Sequence, residues 1–289
     1  MSEPVFGGYT PHQLEEQYNA RAAVPGYEKI FLDWRERSES YRQRSPCELD
    51  ISYGPSDRQT LDLFIPGRGG SPVLVFIHGG YWRLMDKSDF SYLAEGFVER
   101  GGLVAVVNYG LCPAVTIDEI VRQMRTACEW LWRNCREYGG NPDRIHVSGH
   151  SAGGQLSAML MATDWPSFSP DLPSELVKSG IPVSGLFELE PMRFLSLNED
   201  LKLDKESASR NSPSLLYPKT KAPLSVVVGG AESEEFRRQS YSFTQKWRER
   251  GVNAEYVEME GLNHFTVLDQ MKSPGSPLTD IILQHMGLG

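Results

Sequence analysis

The stretch Arg144-Ile145-His146-Val147-Ser148-Gly149-His150-Ser151-Ala152-Gly153-Gly154-Gln155-Leu156 decides the fold of this 289-residue chain. Its first five residues are β-like, and the run from Gln155 to Ala162 is helix-like. Between them, Gly149-His150-Ser151-Ala152-Gly153 matches G-x-S-x-G, and the strand–turn–helix context reads as a nucleophile elbow. The chain must reverse sharply there, so Ser151 is expected in a strained conformation, with glycines keeping Cβ atoms out of the turn. Its hydroxyl would stand clear of the sheet at the N-terminus of the next helix, which favours developing negative charge. The pentapeptide alone would read as a plain Gly/Ser turn; its flanks and a second motif upstream reverse that reading.

That second motif is His78-Gly79-Gly80-Tyr81-Trp82, which follows the continuous apolar run Val73-Leu74-Val75-Phe76-Ile77, a strand buried on both faces. In an α/β hydrolase this is the position of the oxyanion loop. The N–H groups of Gly79, Gly80 and Ala152 are the expected oxyanion donors, and His78 is read as fixing the loop. Working outward, Leu103–Val107 and Leu224–Val228 repeat the buried-strand pattern, and Ala254–Met259 reads as the last strand. Helices are expected from about Ser88 to Arg100, Thr116 to Tyr138 and Glu234 to Arg250, with helical character from Asn263 and again over Leu278–Met286. Strand–helix alternation at this spacing predicts a mostly parallel, doubly wound α/β sheet with the α/β-hydrolase fold. Upstream, Cys47–Tyr53 and Leu61–Ile65 alternate around Gly54-Pro55-Ser56-Asp57 and predict an antiparallel hairpin at the sheet's start. Residues 1–289 read as one domain. Residues 1–45 form a polar helical arm, with Thr10 as N-cap and Pro11 at the first helical position. Whether that arm covers the active-site mouth or only a sheet edge stays open. Residues 164–217, irregular and rich in Pro and Ser, read as a cap or lid, with a short strand expected near Gly180–Phe187.

Composition narrows the partners. A formal charge of −9 disfavours nucleic acid and anionic membranes. No apolar run approaches a membrane span. Met1–Gly8 carries no basic, apolar leader. Cys47, Cys112, Cys128 and Cys135 form no C-x-x-C pair and show no zinc spacing, so a reduced cytoplasmic protein without metal or cofactor is expected. A small-molecule substrate is the expected partner; assembly as a homodimer is left open.

A serine needs a base. Of the six histidines, His12 and His285 lie near the ends, His78 in the loop, and His146 and His150 in the elbow strand and turn. That leaves His264, just past the last strand. The orienting acid should follow the strand ending at Val228, in the chain order Ser, acid, His. Glu232 lies in that loop, whereas Glu234 and Glu235 read as first-turn helix residues complementing the dipole. With nucleophile, base, acid and glycines all present, a silent binding module on the same fold is disfavoured.

The elbow and the His-Gly-Gly-Tyr-Trp loop resemble those of the hormone-sensitive-lipase-like α/β hydrolases, and within them the kynurenine formamidases (arylformamidases). Val183–Pro191 and Glu232–Ser240 are similar to further stretches of that group, and the likeness runs from about residue 48. Many members place Asp where this chain has Glu232; glutamate does the same work from a loop set back by one methylene. The resemblance implies hydrolysis of an aryl formamide, N-formyl-L-kynurenine, through a formyl-Ser151 intermediate. Related esterases share these motifs, so a carboxylesterase for short acyl or aryl esters is the alternative. Tyr81 and Trp82 are placed to wall an aromatic substrate, with loop packing as the other reading. Asn108, ending the strand at Val107, either lines the site or packs beneath it.

Overall fold

The computed structural model describes residues 3–273 and 275–289. Met1 and Ser2, part of the stretch read above for a leader, and Pro274 lie outside the described residues. An eight-stranded sheet runs through the molecule in the order β1-β2-β4-β3-β5-β6-β7-β8. Its strands are β1 (Cys47–Ser52), β2 (Thr60–Phe64), β3 (Ser71–Ile77), β4 (Leu103–Val107), β5 (Gly140–His150), β6 (Val177–Val183), β7 (Leu224–Gly229) and β8 (Ala254–Met259). β2 pairs antiparallel with both β1 and β4; every other pairing is parallel. The chain has the α/β-hydrolase fold, with the antiparallel N-terminal hairpin at one edge.

The strand sequences explain why both faces are covered. Side chains alternate across a sheet, and here both sets are apolar. In β3, Val73, Val75 and Ile77 join one core, while Leu74 and Phe76 join the other. β4 divides the same way, Leu103, Ala105 and Val107 against Val104 and Val106.

The helices are α1 (Pro11–Tyr18), α2 (Ala20–Ala23), α3 (Tyr27–Arg44), α4 (Glu95–Val98), α5 (Ile117–Asn134), α6 (Ala152–Met161), α7 (Trp165–Phe168), α8 (Asn198–Leu201), α9 (Lys205–Arg210), α10 (Glu234–Glu249) and α11 (Pro277–Met286). α5 buries Ile117, Ile120, Val121, Met124, Cys128 and Leu131, spaced three and four apart on one stripe. Thr116 caps it by accepting the Glu119 N–H at 3.2 Å.

Two sequence expectations are corrected. The helix expected over Ser88–Arg100 forms as a 3-10 stretch, Lys87–Ala94, followed by the single turn α4. Its Ser, Asp and aromatic residues are poor helix formers, and Phe90 through Ala94 are all buried. The helical run expected from Asn263 is the 3-10 stretch Thr266–Met271. Within 164–217 the strand expected near Gly180–Phe187 forms as β6, a central strand of the sheet, and Ser196 and Leu197 of this span line the cavity onto which Ser151 opens. No described helix is long and apolar enough to cross a membrane.

Candidate active site

β5 leads straight into α6, and Ser151 at the junction has φ 57° and ψ −117°. The turn is so tight that a Cβ on Gly153 would lie 2.0 Å from the Ile77 carbonyl oxygen, so only glycine fits there. The Ser151 N–H donates to Val183 O at 2.8 Å, anchoring the elbow to β6. Ser151 is 3% exposed, and that exposure opens onto a cavity of about 240 Å³ whose lining also includes His264.

His264 and Glu232 come together from loops after β8 and β7. His264 Nδ1 lies 2.6 Å from Glu232 Oε2, with both side chains buried. A carboxylate oxygen only accepts, so Nδ1 carries the proton and Nε2 is left free to take one. Glu232 Oε1 is itself held by the Gly229 N–H at 2.8 Å and the Ser184 hydroxyl at 2.5 Å. The sequence reading missed Ser184. It sits just past β6 at φ 50°, and its role depends on a contact 48 positions away. Among the described residues Ser151 Oγ makes no direct hydrogen bond to His264; such bonds commonly tighten when substrate enters.

His150, inside the elbow, ties His264 to the turn that carries Ser151. Its Nε2 donates to the His264 carbonyl oxygen at 2.7 Å, and the two rings lie 4.6 Å apart. Burial and the neighbouring His264 hold its pKa well below the usual histidine range, so the ring is neutral.

The glycine loop follows β3 as expected. Gly79 packs so closely on the elbow that a Cβ there would meet Ser151 Cβ at 3.1 Å. Gly80 has φ 103°, and a Cβ on it would lie 2.3 Å from Leu84 O. Among the described residues no backbone carbonyl accepts from the N–H of Gly79, Gly80 or Ala152.

The three residues expected to line the substrate site separate. Tyr81 lines the cavity, and its hydroxyl donates to Tyr18 O. Trp82 does not: it is fully buried, with Nε1 donating to Gln155 Oε1 at 3.1 Å. Nor does Asn108. Its Oδ1 accepts from the Lys87 N–H at 2.8 Å and from Arg58 at 3.2 Å, and its Nδ2 donates to Asp86 at 2.6 Å. Burial pushes the Asp86 carboxyl up, but hydrogen bonds from the Ser88 N–H, the Asn108 amide and the Ser88 hydroxyl, with Arg58 nearby, overcome it and take its pKa down to about 2. His78 lies under the same loop, Nδ1 2.8 Å from Gly79 O and Nε2 3.0 Å from Asn108 Oδ1. Burial pushes its pKa down to about 4, and the neutral ring satisfies one of those two acceptors.

The aromatic wall comes from elsewhere. Phe31 and Trp34 of α3 line the cavity beside Phe265, with Phe31 5.0 Å from Phe265 and 5.1 Å from Trp34. α1 reaches the same cavity through Tyr18, whose hydroxyl donates to Glu235 at 2.7 Å and accepts from Gln239 at 2.7 Å.

Fold and site together define a serine-type α/β hydrolase. The family described as BD-FAE matches residues 61–175. The kynurenine formamidase of Danio rerio is 28% identical over 286 residues, covering 96% of this chain and 94% of that protein. Esterase LipQ of Mycobacterium tuberculosis is 29% identical over 78% of this chain and 58% of its own length. A crystal structure from Silicibacter sp. TM1040, provisionally described as a thioesterase, is 33% identical with a TM-score of 0.84, covering 93% of this chain and 98% of that one. By this likeness along nearly its whole length the chain is a kynurenine-formamidase-like α/β hydrolase.

Proposed function

We propose that this enzyme cleaves an aryl formamide, N-formyl-L-kynurenine, to L-kynurenine and formate. Ser151 Oγ attacks the formyl carbon while its proton passes to His264 Nε2. Glu232 holds the imidazole in the tautomer that can accept it and stabilises the imidazolium that forms. The oxyanion is met by the N–H groups of Gly79, Gly80 and Ala152; losing one such donor typically costs roughly 10²–10³ in rate. The C–N bond breaks as His264 returns the proton to the departing arylamine, leaving formyl-Ser151. Water, deprotonated by the same His264, then releases formate and restores the serine.

The observation that carries this reading is the cavity: Ser151 and His264 open onto a space of about 240 Å³ walled by Phe31, Trp34 and Phe265. A formyl group asks for little room at the serine, and an aryl ring stacks on aromatic walls. The full-length likeness to a protein named kynurenine formamidase supports it. The second reading, a carboxylesterase for short acyl or aryl esters, uses identical machinery and is favoured by the likeness to a protein named esterase.

Turnover of N-formyl-L-kynurenine measured beside a p-nitrophenyl acyl ester series separates the two. Formamide cleavage well above background, with kcat/KM above that for the esters, is expected. Formamide cleavage no faster than background, with esters turned over, would reject the first reading. A fluorophosphonate should label wild type and not Ser151→Ala.

A further inference from the structure

Three charged residues lining the cavity, Arg21, Glu15 and Arg83, have no part in the hydrolytic steps. Arg21, on α2, is exposed and lines the cavity. Its guanidinium lies 5.5 Å from the Tyr27 ring centroid and 5.6 Å from that of Phe31. Among the described residues no carboxylate pairs with it, whereas Arg83 in the same cavity is paired with Asp200 at 2.6 Å. Glu15, on α1, also lines the cavity. Its two oxygens accept the Ser196 N–H at 3.0 Å and the Ser196 hydroxyl at 2.8 Å, both neutral donors. No cation neutralises it among the described residues. One uncompensated cation and one uncompensated carboxylate, both from the N-terminal helices, therefore face the space that holds Ser151 and His264.

The arrangement favours a ligand over plain surface decoration. An arginine laid on aromatic rings is held in place and weakly hydrated, so its donors are ready for a carboxylate. The molecule's net charge of −9 repels anions at long range, so an anionic ligand needs a local cation. The carboxylate of Glu15 excludes a purely anionic ligand as the best fit and asks for a positive group nearby.

We propose that Arg21 and Glu15 read the charged end of the substrate: an aryl formamide bearing an α-amino-acid head, with its carboxylate on Arg21 and its ammonium on Glu15. The ring then lies against Phe31 and Trp34, and the formamide points to Ser151. The arm is thereby a specificity element, and the last placement rests on the formamidase reading of the same cavity.

The test is equilibrium binding by titration calorimetry on the full chain, with three product-type ligands that are not turned over. These are L-kynurenine, its deaminated keto-carboxylate and 2-aminoacetophenone, which lacks the tail. Arg21→Gln should weaken the two carboxylates by about 10- to 100-fold, the range of a lost charge-assisted bond, and leave 2-aminoacetophenone within twofold. Arg21→Lys should recover part of the loss. Glu15→Gln, whose amide oxygen still accepts from Ser196, should weaken only L-kynurenine. If wild type binds all three alike, or if the variants weaken the tail-less ligand equally, the proposal is overturned. Failure of the formamidase reading looks different: no turnover of N-formyl-L-kynurenine while tail-dependent binding persists.

Discussion

Glu232 is held by three hydrogen bonds, and each constrains what can replace it. Oε1 takes two donors and Oε2 faces His264 Nδ1. An amide at this position must turn an N–H₂ either toward the Gly229 N–H and the Ser184 hydroxyl or toward His264, where it selects the wrong tautomer. Glu232→Gln should therefore lower kcat by about 10³–10⁴ with the fold intact, by analogy with triad acids elsewhere. Glu234 lies outside this contact: it only accepts the exposed Tyr9 hydroxyl at 3.3 Å. Glu234→Gln should stay within about threefold of wild type on the usual scale of surface changes. Steady-state kinetics with unfolding curves on both variants checks the pair, and loss of activity in Glu234→Gln alone would move the acid. That Ser151, Glu232 and His264 would meet was legible because this fold fixes their chain order relative to strands that the apolar runs mark. Ser184 was not, since nothing local in Val183-Ser184-Gly185 announces a positive φ or a distant carboxylate.

The glycine loop after β3 behaves as one element with the strand end beside it. Tyr81 and Trp82 both have positive φ, at 51° and 57°. Such a turn sends neighbouring side chains to different places, one to the cavity and one to the core. Sequence spacing alone put them on the same wall. Asn108 is the hub that holds this turn, joining the loop histidine to Asp86, Arg58 and the Lys87 N–H. Asn108→Ala leaves several buried groups without partners, so we expect a stability loss of about 2–3 kcal/mol. We also expect a larger fall in kcat than rise in KM, because the donors shift while the aromatic wall does not. The arm makes a complementary prediction. Tyr18→Phe removes the bonds to Glu235 and Gln239, which should cost about 1–2 kcal/mol and raise KM, with faster proteolytic nicking near Arg21. Unchanged KM and nicking would show that α1 seats itself without that hydroxyl. The arm's amphipathic helices could be read from sequence, but its aromatic residues gave no sign of which cavity they would meet. That meeting joins Phe31 to Phe265, far apart in the chain.

Across the whole molecule the sheet was legible because strands buried on both faces must be continuously apolar, and few other segments are. The same burial traps groups that titrate. His146 on β5 is 5% exposed, opposite Ser179 of β6, with Nδ1 2.8 Å from the Ser179 hydroxyl. Its Nε2 is buried without a hydrogen-bond partner. Burial, followed by the neighbouring His285, Arg144 and Lys178, pushes its pKa down from 6.5 to about 4. The folded state thus prefers the neutral ring, while the unfolded chain takes up a proton as pH falls through 6.5. The stabilisation is complete above that value and is lost progressively as pH falls toward 4. It should amount to about 2 kcal/mol lost by pH 5 from this residue alone. His78 and His150, also held neutral, act in the same direction. Urea unfolding of wild type at pH 7.5 and pH 5 should show the fall, and His146→Gln, which does not titrate, should show a fall smaller by about that amount. Equal falls in the two proteins would mean that His146 is protonated within the folded sheet, with Nε2 finding an acceptor that the resting structure does not provide.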